Sequence, residues 1–533
     1  PAEGENPLPP GVIFCLRAVG EAAATVAEPG YPLAPHYVVH VGDDGEVLLP
    51  YTQAKQVLDR LKKLSLGQDE PDLPAAKRFD KATRFGRDME PYQKLLGRAV
   101  GSLVGKREER AVASLFQMGG THAMKGEFAG IKGIEGEDVL PASGVTSINA
   151  YLGGFPIAAA LAEGADIVVT GRVVDSALAL GLLIHRFGWQ AEQWDLIAAG
   201  TLVGHLIECG AQATGGTYTD WDQVEGWDTI GFPIAECRAD GTCVITKGEG
   251  TGGMVTVGTV AEQLLYETSD PQAYIVPDVV CDFTQVTMTQ QGKDRVLVQG
   301  MKGHPRTPTL KVCATFDSGW RVTSYQPVIG PRAVAKARKQ AEAHFARGAA
   351  LLRDRNMPGF LSQETVLIGA GESVGARAPD PDGVMEVLLK LSADFETQQS
   401  AGVFAYELHT QLCGMAPGTS IVPFGGIAPV LHMVAFLIPR ESVTAKVDLD
   451  GTARPCPDTG PAGVPLRIDH RPPAPPAPAT TGTPVPLERI AFTRSGEKGE
   501  TVNVGVIARD PAHLPAIRAA LTPEALRDWF AHL

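Results

Sequence analysis

The chain has 533 residues, 44% of them hydrophobic and only 6% aromatic, with 60 glycines and 41 prolines. That length exceeds one ordinary core and suggests about three units of roughly 100–200 residues each, with many turns between short strands and helices. A formal net charge of -14 repels phosphate backbones, so composition argues against nucleic acid as a partner and makes any anionic substrate depend on a local positive site.

Residues 1–132 carry 17 Lys plus Arg and 17 Asp plus Glu, so the negative excess lies in the rest of the chain. This segment is expected to be a separate N-terminal unit of helical and mixed character. Gly42-Asp-Asp-Gly-Glu-Val-Leu-Leu-Pro-Tyr51 reads as a hairpin turn feeding a strand, because Asp44-Gly45 supplies the positive φ of a tight turn. Within 52–110, apolar residues recur at helical spacing with charges between them, as in Lys55-Gln-Val-Leu-Asp-Arg-Leu-Lys-Lys-Leu64, which predicts a solvated amphipathic helix.

From about residue 133 the texture becomes α/β. Ala165-Asp-Ile-Val-Val-Thr-Gly171 is a β-branched run ending in glycine, which predicts a buried strand of parallel type, with a helix from about 175 to 187 after it. Residues 400–439 read as further helix and strand. Arg471-Pro-Pro-Ala-Pro-Pro-Ala-Pro-Ala-Thr-Thr-Gly-Thr-Pro-Val-Pro486 suits only an extended spacer. The expected organisation is therefore an α/β body at 133–470 with a mainly parallel sheet and flanking helices, a linker at 471–486, and a small α+β C-terminal domain at 487–533.

Eight cysteines (Cys15, Cys209, Cys237, Cys243, Cys281, Cys313, Cys413, Cys456) are scattered without a C-x-x-C pair and read as reduced thiols with no metal role. No basic stretch precedes an apolar segment at the N-terminus, and no run of about 18 apolar residues occurs, so the cytoplasm is expected and a membrane is not.

Three clusters could carry chemistry. In Lys247-Gly-Glu-Gly-Thr-Gly-Gly-Met-Val-Thr256, Gly250, Thr251, Gly252 and Gly253 precede a helical pattern, so inward-turned amides and Lys247 could cradle a phosphate or carboxylate. A flexible turn with an ordinary cap at Thr259 is the alternative. In Gly204-His-Leu-Ile-Glu-Cys-Gly-Ala-Gln-Ala-Thr-Gly-Gly216, His205 and Glu208 share a helix face and could form an acid-base pair, with Asp220 close by in sequence. A structural hydrogen bond is the competing reading. In Thr170-Gly-Arg-Val-Val-Asp-Ser176, Arg172 could bind an anion at the strand end, with Asp175 beside it, while Asp175 or Ser176 could instead cap the next helix. The cofactor is left unassigned.

These residues resemble the acyclic terpene utilisation (AtuA-like) family. The resemblance rests on Glu135-Gly-Glu-Asp-Val-Leu140, Gly164-Ala-Asp-Ile-Val-Val-Thr-Gly-Arg172, Glu208-Cys-Gly-Ala-Gln-Ala-Thr-Gly-Gly216, Pro277-Asp-Val-Val-Cys-Asp-Phe283 and Ala416-Pro-Gly-Thr419, and covers about 134–451. Thr493-Arg-Ser-Gly-Glu-Lys-Gly-Glu-Thr-Val-Asn-Val-Gly-Val-Ile-Ala-Arg509 looks like the family's small C-terminal domain, here expected to be incomplete, with Ser495, Lys498, Thr501 and Asn503 on a polar loop. A few phrases, Leu49-Pro-Tyr-Thr-Gln-Ala-Lys55 and Gly119-Gly-Thr-His-Ala123, resemble the C-terminal part of bacterial superfamily-two helicases, without a Walker sequence. The family resemblance implies work in branched acyl-CoA catabolism, with an acyl-CoA as small-molecule partner. A lyase, hydratase or isomerase acting on a carboxylated acyl-CoA fits the residues on offer. A thioester hydrolase is the runner-up, and a non-enzymatic fusion remnant or interaction protein stays open, as does a homo-oligomer.

Overall fold

The computed structural model describes residues 13–17, 36–41, 47–48, 111–117, 130–134, 139–410, 414–420, 426–449, 452–456, 458, 460–466, 485–498 and 501–532. The expected helix at 52–110, the Asp44-Gly45 turn, the phrases at 49–55 and 119–123 and most of the proline spacer lie outside those residues.

The strands begin with β1 (Ile13–Arg17), β2 (His36–Val41), β3 (Val47–Leu48), β4 (Ala111–Gln117), β5 (Val145–Ala150) and β6 (Ala165–Thr170). They continue with β7 (Pro233–Cys237), β8 (Cys243–Lys247), β9 (Tyr274–Ile275), β10 (Val280–Asp282), β11 (Thr287–Gly292), β12 (Arg295–Gln299) and β13 (Lys302–His304). The remainder are β14 (Thr309–Ile329), β15 (Phe360–Ile368), β16 (Glu386–Phe395), β17 (Ile427–Pro439), β18 (Ala445–Leu449), β19 (Thr452–Cys456), β20 (Ala491–Lys498) and β21 (Thr501–Ala508). The α-helices are α1 (Phe155–Ala162), α2 (Ala177–Phe187), α3 (Trp194–Ile207), α4 (Val257–Leu265), α5 (Ala333–Asp354), α6 (Gln398–Thr410), α7 (Leu514–Ala520) and α8 (Pro523–Trp529).

An 11-stranded sheet runs in the order β11-β12-β8-β7-β3-β2-β1-β6-β4-β18-β19. The expected mainly parallel sheet is corrected by it. Among the described strands only the two pairings of β6, with β1 and with β4, are parallel, and every other pairing is antiparallel. The cause is local. Neighbours such as β7 and β8, or β11 and β12, are joined by a few residues around Gly241 (φ +85°) and Asp294 (φ +55°), and connections that short permit only antiparallel return. The pairs on either side of Asp44-Gly45 follow the same rule, with His40 opposite Leu48 and Val41 opposite Val47.

The β-branched run at 165–170 does form a strand with parallel partners on both sides. Strands β1 and β4 of the N-terminal segment are those partners, so that segment and the body share one sheet. A second sheet, β15-β16-β14-β17 with β5 also on β14, carries α5 and α6 and encloses its own core around Phe395 and Phe404. The first core gathers on β6 to β8 and α1 to α3. Helices α2 and α3 are apolar nearly all round, with residues 177–184 and 197–207 buried, which marks them as interior helices. The small C-terminal unit is the β20–β21 hairpin followed by α7 and α8. Among the described residues no helix is long and apolar enough to cross a membrane.

Candidate functional site

The C-terminal ends of β1, β6 and β4 lie level, with Thr170 opposite both Arg17 and Leu115. A parallel strand flanked by parallel partners delivers its loop to the sheet edge where α/β folds bind ligands. The loop after β6 is pinned there, since Val174 N–H donates to the Leu152 carbonyl at 2.9 Å and Leu152 N–H donates to the Arg172 carbonyl at 3.3 Å. Arg172 Nη2 donates to the Tyr151 hydroxyl at 2.9 Å, its guanidinium lies 4.5 Å from the centre of the Tyr151 ring, and Nη1 stands 3.9 Å from Asp175 Oδ1. Burial pushes the Tyr151 phenol up to about 12 despite the opposing Arg172 charge, so the ring stays neutral and offers its π-face to the cation. Ser176 occupies the N-cap position of α2, but its side chain makes no capping bond, which corrects the capping role offered for it. The Ser176 and Thr170 hydroxyls are both buried without a hydrogen-bond partner.

Helix α3 meets this loop because Gly204 has no side chain. A Cβ there would lie 2.4 Å from the Ser176 carbonyl oxygen. The last turn of α3, which ends at its C-cap Glu208, therefore packs on Ser176 at the start of α2. His205, 1% exposed, lies between two acceptors, with Nε2 3.1 Å from the Leu264 carbonyl and Nδ1 3.2 Å from Glu208 Oε1. A neutral imidazole donates from one nitrogen only, so satisfying both contacts requires either an imidazolium or a protonated Glu208. Burial alone would lower the His205 pKa; the Glu208 hydrogen bond and charge, helped by the Leu264 carbonyl, outweigh it and the net shift is upward. Tyr274 and Phe283 pack on the imidazole with ring centres 5.3 and 6.1 Å away. Cys209 is pushed up to about 12 by burial and by the neighbouring Glu208 charge, so it stands as a thiol.

Asp220 is held differently. It forms a two-pronged ion pair with Arg509 of β21's end, Nη1 to Oδ2 at 2.7 Å, and Arg509 in turn covers Phe492 at 4.1 Å. Next to it, buried Glu262 accepts from the Thr219 N–H at 3.1 Å, and burial raises its pKa. Arg494 of β20, 8% exposed, donates through Nη1 to the Thr217 carbonyl at 2.8 Å and through Nη2 to Gln212 Oε1, and lies 4.8 Å from the Tyr266 ring centre. The C-terminal hairpin thus closes over the 212–220 loop. Ser495, Lys498, Thr501 and Asn503, expected on a loop, lie on the two strands of this hairpin, where Ser495 faces Val504 and Asn503 faces Gly496.

The glycine loop is committed within the protein. The N–H groups of Thr251, Gly252 and Gly253 donate to the carbonyls of Gly248, Thr229 and Glu225 at 3.3, 2.9 and 2.8 Å. Lys247 donates to the Thr251 carbonyl at 2.7 Å and stands 3.7 Å from Asp294. Gly250 has φ +73°, and a Cβ on Gly252 would lie 1.9 Å from the Gly226 oxygen. Helix α4 is capped by Thr256, not Thr259; the two form a reciprocal box in which each hydroxyl accepts from the other's N–H. These bonds favour the turn over the anion cradle. The charges of Asp175 and Glu208 both act on Cys209 and Tyr274, which places the Arg172–Asp175 pair and the His205–Glu208 pair around the same two side chains, while Asp220 belongs to the contact with the C-terminal unit and the glycine loop packs on 225–231. Tyr151 and Tyr274 were not legible as members, because they stand 21 positions before Arg172 and 69 positions after His205 and no local spacing links them. Among the described residues no group of three or more His, Cys, Asp and Glu is placed to hold a metal ion.

A family model described as acyclic terpene utilisation family protein AtuA matches residues 105–449, and one described as the AtuA ferredoxin-like domain matches 485–533. No curated protein and no solved structure matches the chain.

Proposed function

The chain belongs to the acyclic terpene utilisation (AtuA) family, and from that membership we propose a cytoplasmic lyase, hydratase or isomerase that acts on a carboxylated acyl-CoA of branched-chain catabolism. The observation that carries the proposal is His205 between two acceptors. A buried pair obliged to hold one proton more than neutral imidazole and carboxylate together can hand that proton to a substrate carbon or oxygen and take one back. In this reading Glu208 is the group that meets the substrate, His205 is a positioning residue that sets its proton affinity, and Arg172 beside Asp175 receives the substrate carboxylate. Asp220 acts at one remove, through the docking of Arg509.

A hydrolase working through Cys209 is disfavoured, because nucleophilic attack needs a thiolate and this thiol is held protonated up to about 12. The test is to incubate the protein with carboxylated acyl-CoAs and follow loss of the thioester or movement of a double bond. Glu208→Gln should lower kcat by about 10²–10⁴-fold while the circular dichroism spectrum stays unchanged. Turnover at the wild-type rate in that variant would sink the assignment.

A further inference from the structure

Directly after Asp220, the loop from Trp221 to Thr229 stands out of the surface, with every residue in it except Val224 exposed. Trp221 and Trp227 are 61% and 60% exposed, although tryptophan is on average a highly buried residue. Their rings meet at 64° with centres 6.2 Å apart, so the two form one aromatic patch and are not scattered surface residues. The loop is fastened at both ends. At its start the Gln223 N–H donates to the carbonyl of Asp220, which Arg509 holds in turn. At its end the glycine-rich segment grips it, since the N–H groups of Gly252 and Gly253 donate to the Thr229 and Glu225 carbonyls at 2.9 and 2.8 Å. Gly226, at φ +68°, presses on the same segment, and a Cβ there would lie 2.8 Å from Gly252 Cα. The glycine loop, which takes no part in the proposed reaction, therefore holds two exposed indoles in place before any partner arrives, and a surface ordered in advance loses less entropy on binding.

The charges on this loop are all of one sign. Asp222 and Asp228 each follow a tryptophan directly, Glu225 lies between them, and the loop holds no Lys, Arg or His. All three carboxylates are exposed, and among the described residues none of them makes a hydrogen bond or an ion pair. Indole faces beside unpaired carboxylates attract a cation twice, through the ring quadrupole and through charge. A guanidinium answers both, because its plane stacks on an aromatic face while its N–H groups fork onto carboxylate oxygens; an ammonium has no plane to stack. A loop exposed at all but one residue has no walls to enclose a small free cation, so the partner has to bring a surface of its own.

We propose that the Trp221 and Trp227 patch docks a partner protein through an arginine-bearing segment, with a guanidinium laid on an indole face and Asp222, Glu225 and Asp228 answering its charge. The docking is independent of the reaction proposed above. It also gives the glycine-rich segment a role, as the brace of an interaction surface.

The probe is a short labelled peptide of alternating glycine and arginine, titrated with the full chain at physiological ionic strength and followed by fluorescence anisotropy. Saturable binding is expected, tighter than that of a glycine and lysine peptide of the same length. Trp221→Ala and Trp227→Ala should each weaken it by about ten-fold or more. The double variant Asp222→Lys, Asp228→Lys should do the same, and all three should keep the wild-type melting temperature because the replaced side chains are exposed. A chain of net charge -14 attracts any cationic peptide to some degree, so the tryptophans and the lysine control separate docking from bulk attraction. No saturable binding, equal affinity for the lysine peptide, or unchanged affinity in both tryptophan variants would overturn the proposal. So would self-association of the wild-type chain that both tryptophan variants lose, which would assign the patch to a second copy.

Discussion

Between β9 and β10, Asp278 buries its carboxyl group against the start of α1, where the Gly154 N–H donates to Oδ2 at 2.8 Å. The fit is close, since a Cβ on Gly153 would lie 2.0 Å from Oδ1. Burial raises the Asp278 pKa to about 6 against the opposing pull of the Gly154 N–H and of Arg440 and Arg306. A carboxyl whose folded pKa lies above its unfolded one stabilises the fold while protonated, and that contribution is lost as pH rises through about 6. Asp278→Asn keeps an acceptor for Gly154 and removes the titration. Relative to wild type, the variant should therefore gain roughly 2–3 kcal/mol between pH 4 and pH 8, read from urea unfolding at the two pH values. Parallel stability profiles would show that Asp278 does not titrate in this range. At the same scale the sequence pointed to His205 and Glu208 as a helix-face pair, and the structure supplies what it could not: the Leu264 carbonyl on the far nitrogen, 59 positions away in the chain.

At the scale of elements, two glycine contacts position the chemistry. Gly204 lets α3 press against Ser176 at the start of α2, and Glu208 and Asp175 then both act on Cys209 and Tyr274. Gly252 lets the loop before α4 lie on Gly226, with Ile230 bridged to Gly252. The glycine-rich spelling was legible as a place where backbone comes close. That the close partner is another backbone segment, and not a ligand, depended on the chain at 225–231. Gly252→Ala should accordingly cost at least about 3 kcal/mol through overpacking, measured as a lowered urea midpoint. An unchanged midpoint would mean that the loop is a free turn. Helix α4 illustrates the limit of boundary reading, because both threonines of its capping box are good cap residues and only the extended φ and ψ of Thr256, -127° and 165°, decide which one caps.

For the whole molecule, β6 is the strand on which the large sheet depends. Its two neighbours, β1 and β4, come from the first 117 residues, and β18 continues the sheet beyond β4. A chain that begins at Gly133 would leave both edges of β6 unpaired and apolar surface uncovered, so it should aggregate, as sedimentation after expression would reveal. A monodisperse, soluble product would show that the body holds together without those strands. The C-terminal unit joins the body through Arg494, Arg509 and the Thr219 hydroxyl, which both donates to and accepts from the backbone of Thr493. These links join residues more than 270 positions apart, and Asn503 reaches the Leu265 carbonyl across 238.

What the sequence determined by itself was local or shared with a family: the β-branched strand at 165–170, the helix that follows, the helix face shared by His205 and Glu208, and the AtuA-like motifs. The local ones rest on spacing or propensity within a window of a dozen or so residues, and the motifs on resemblance to a family. Only the tertiary structure decided which strands became neighbours, and hence that the sheet is mostly antiparallel with one parallel trio at its site. It also decided that Asp220 turns to Arg509, that the glycine loop serves packing, and that Asn503 turns to the Leu265 carbonyl. Strand order and side-chain partners across hundreds of residues follow from the burial of one shared core, and a residue's own neighbours in the chain carry no record of that choice.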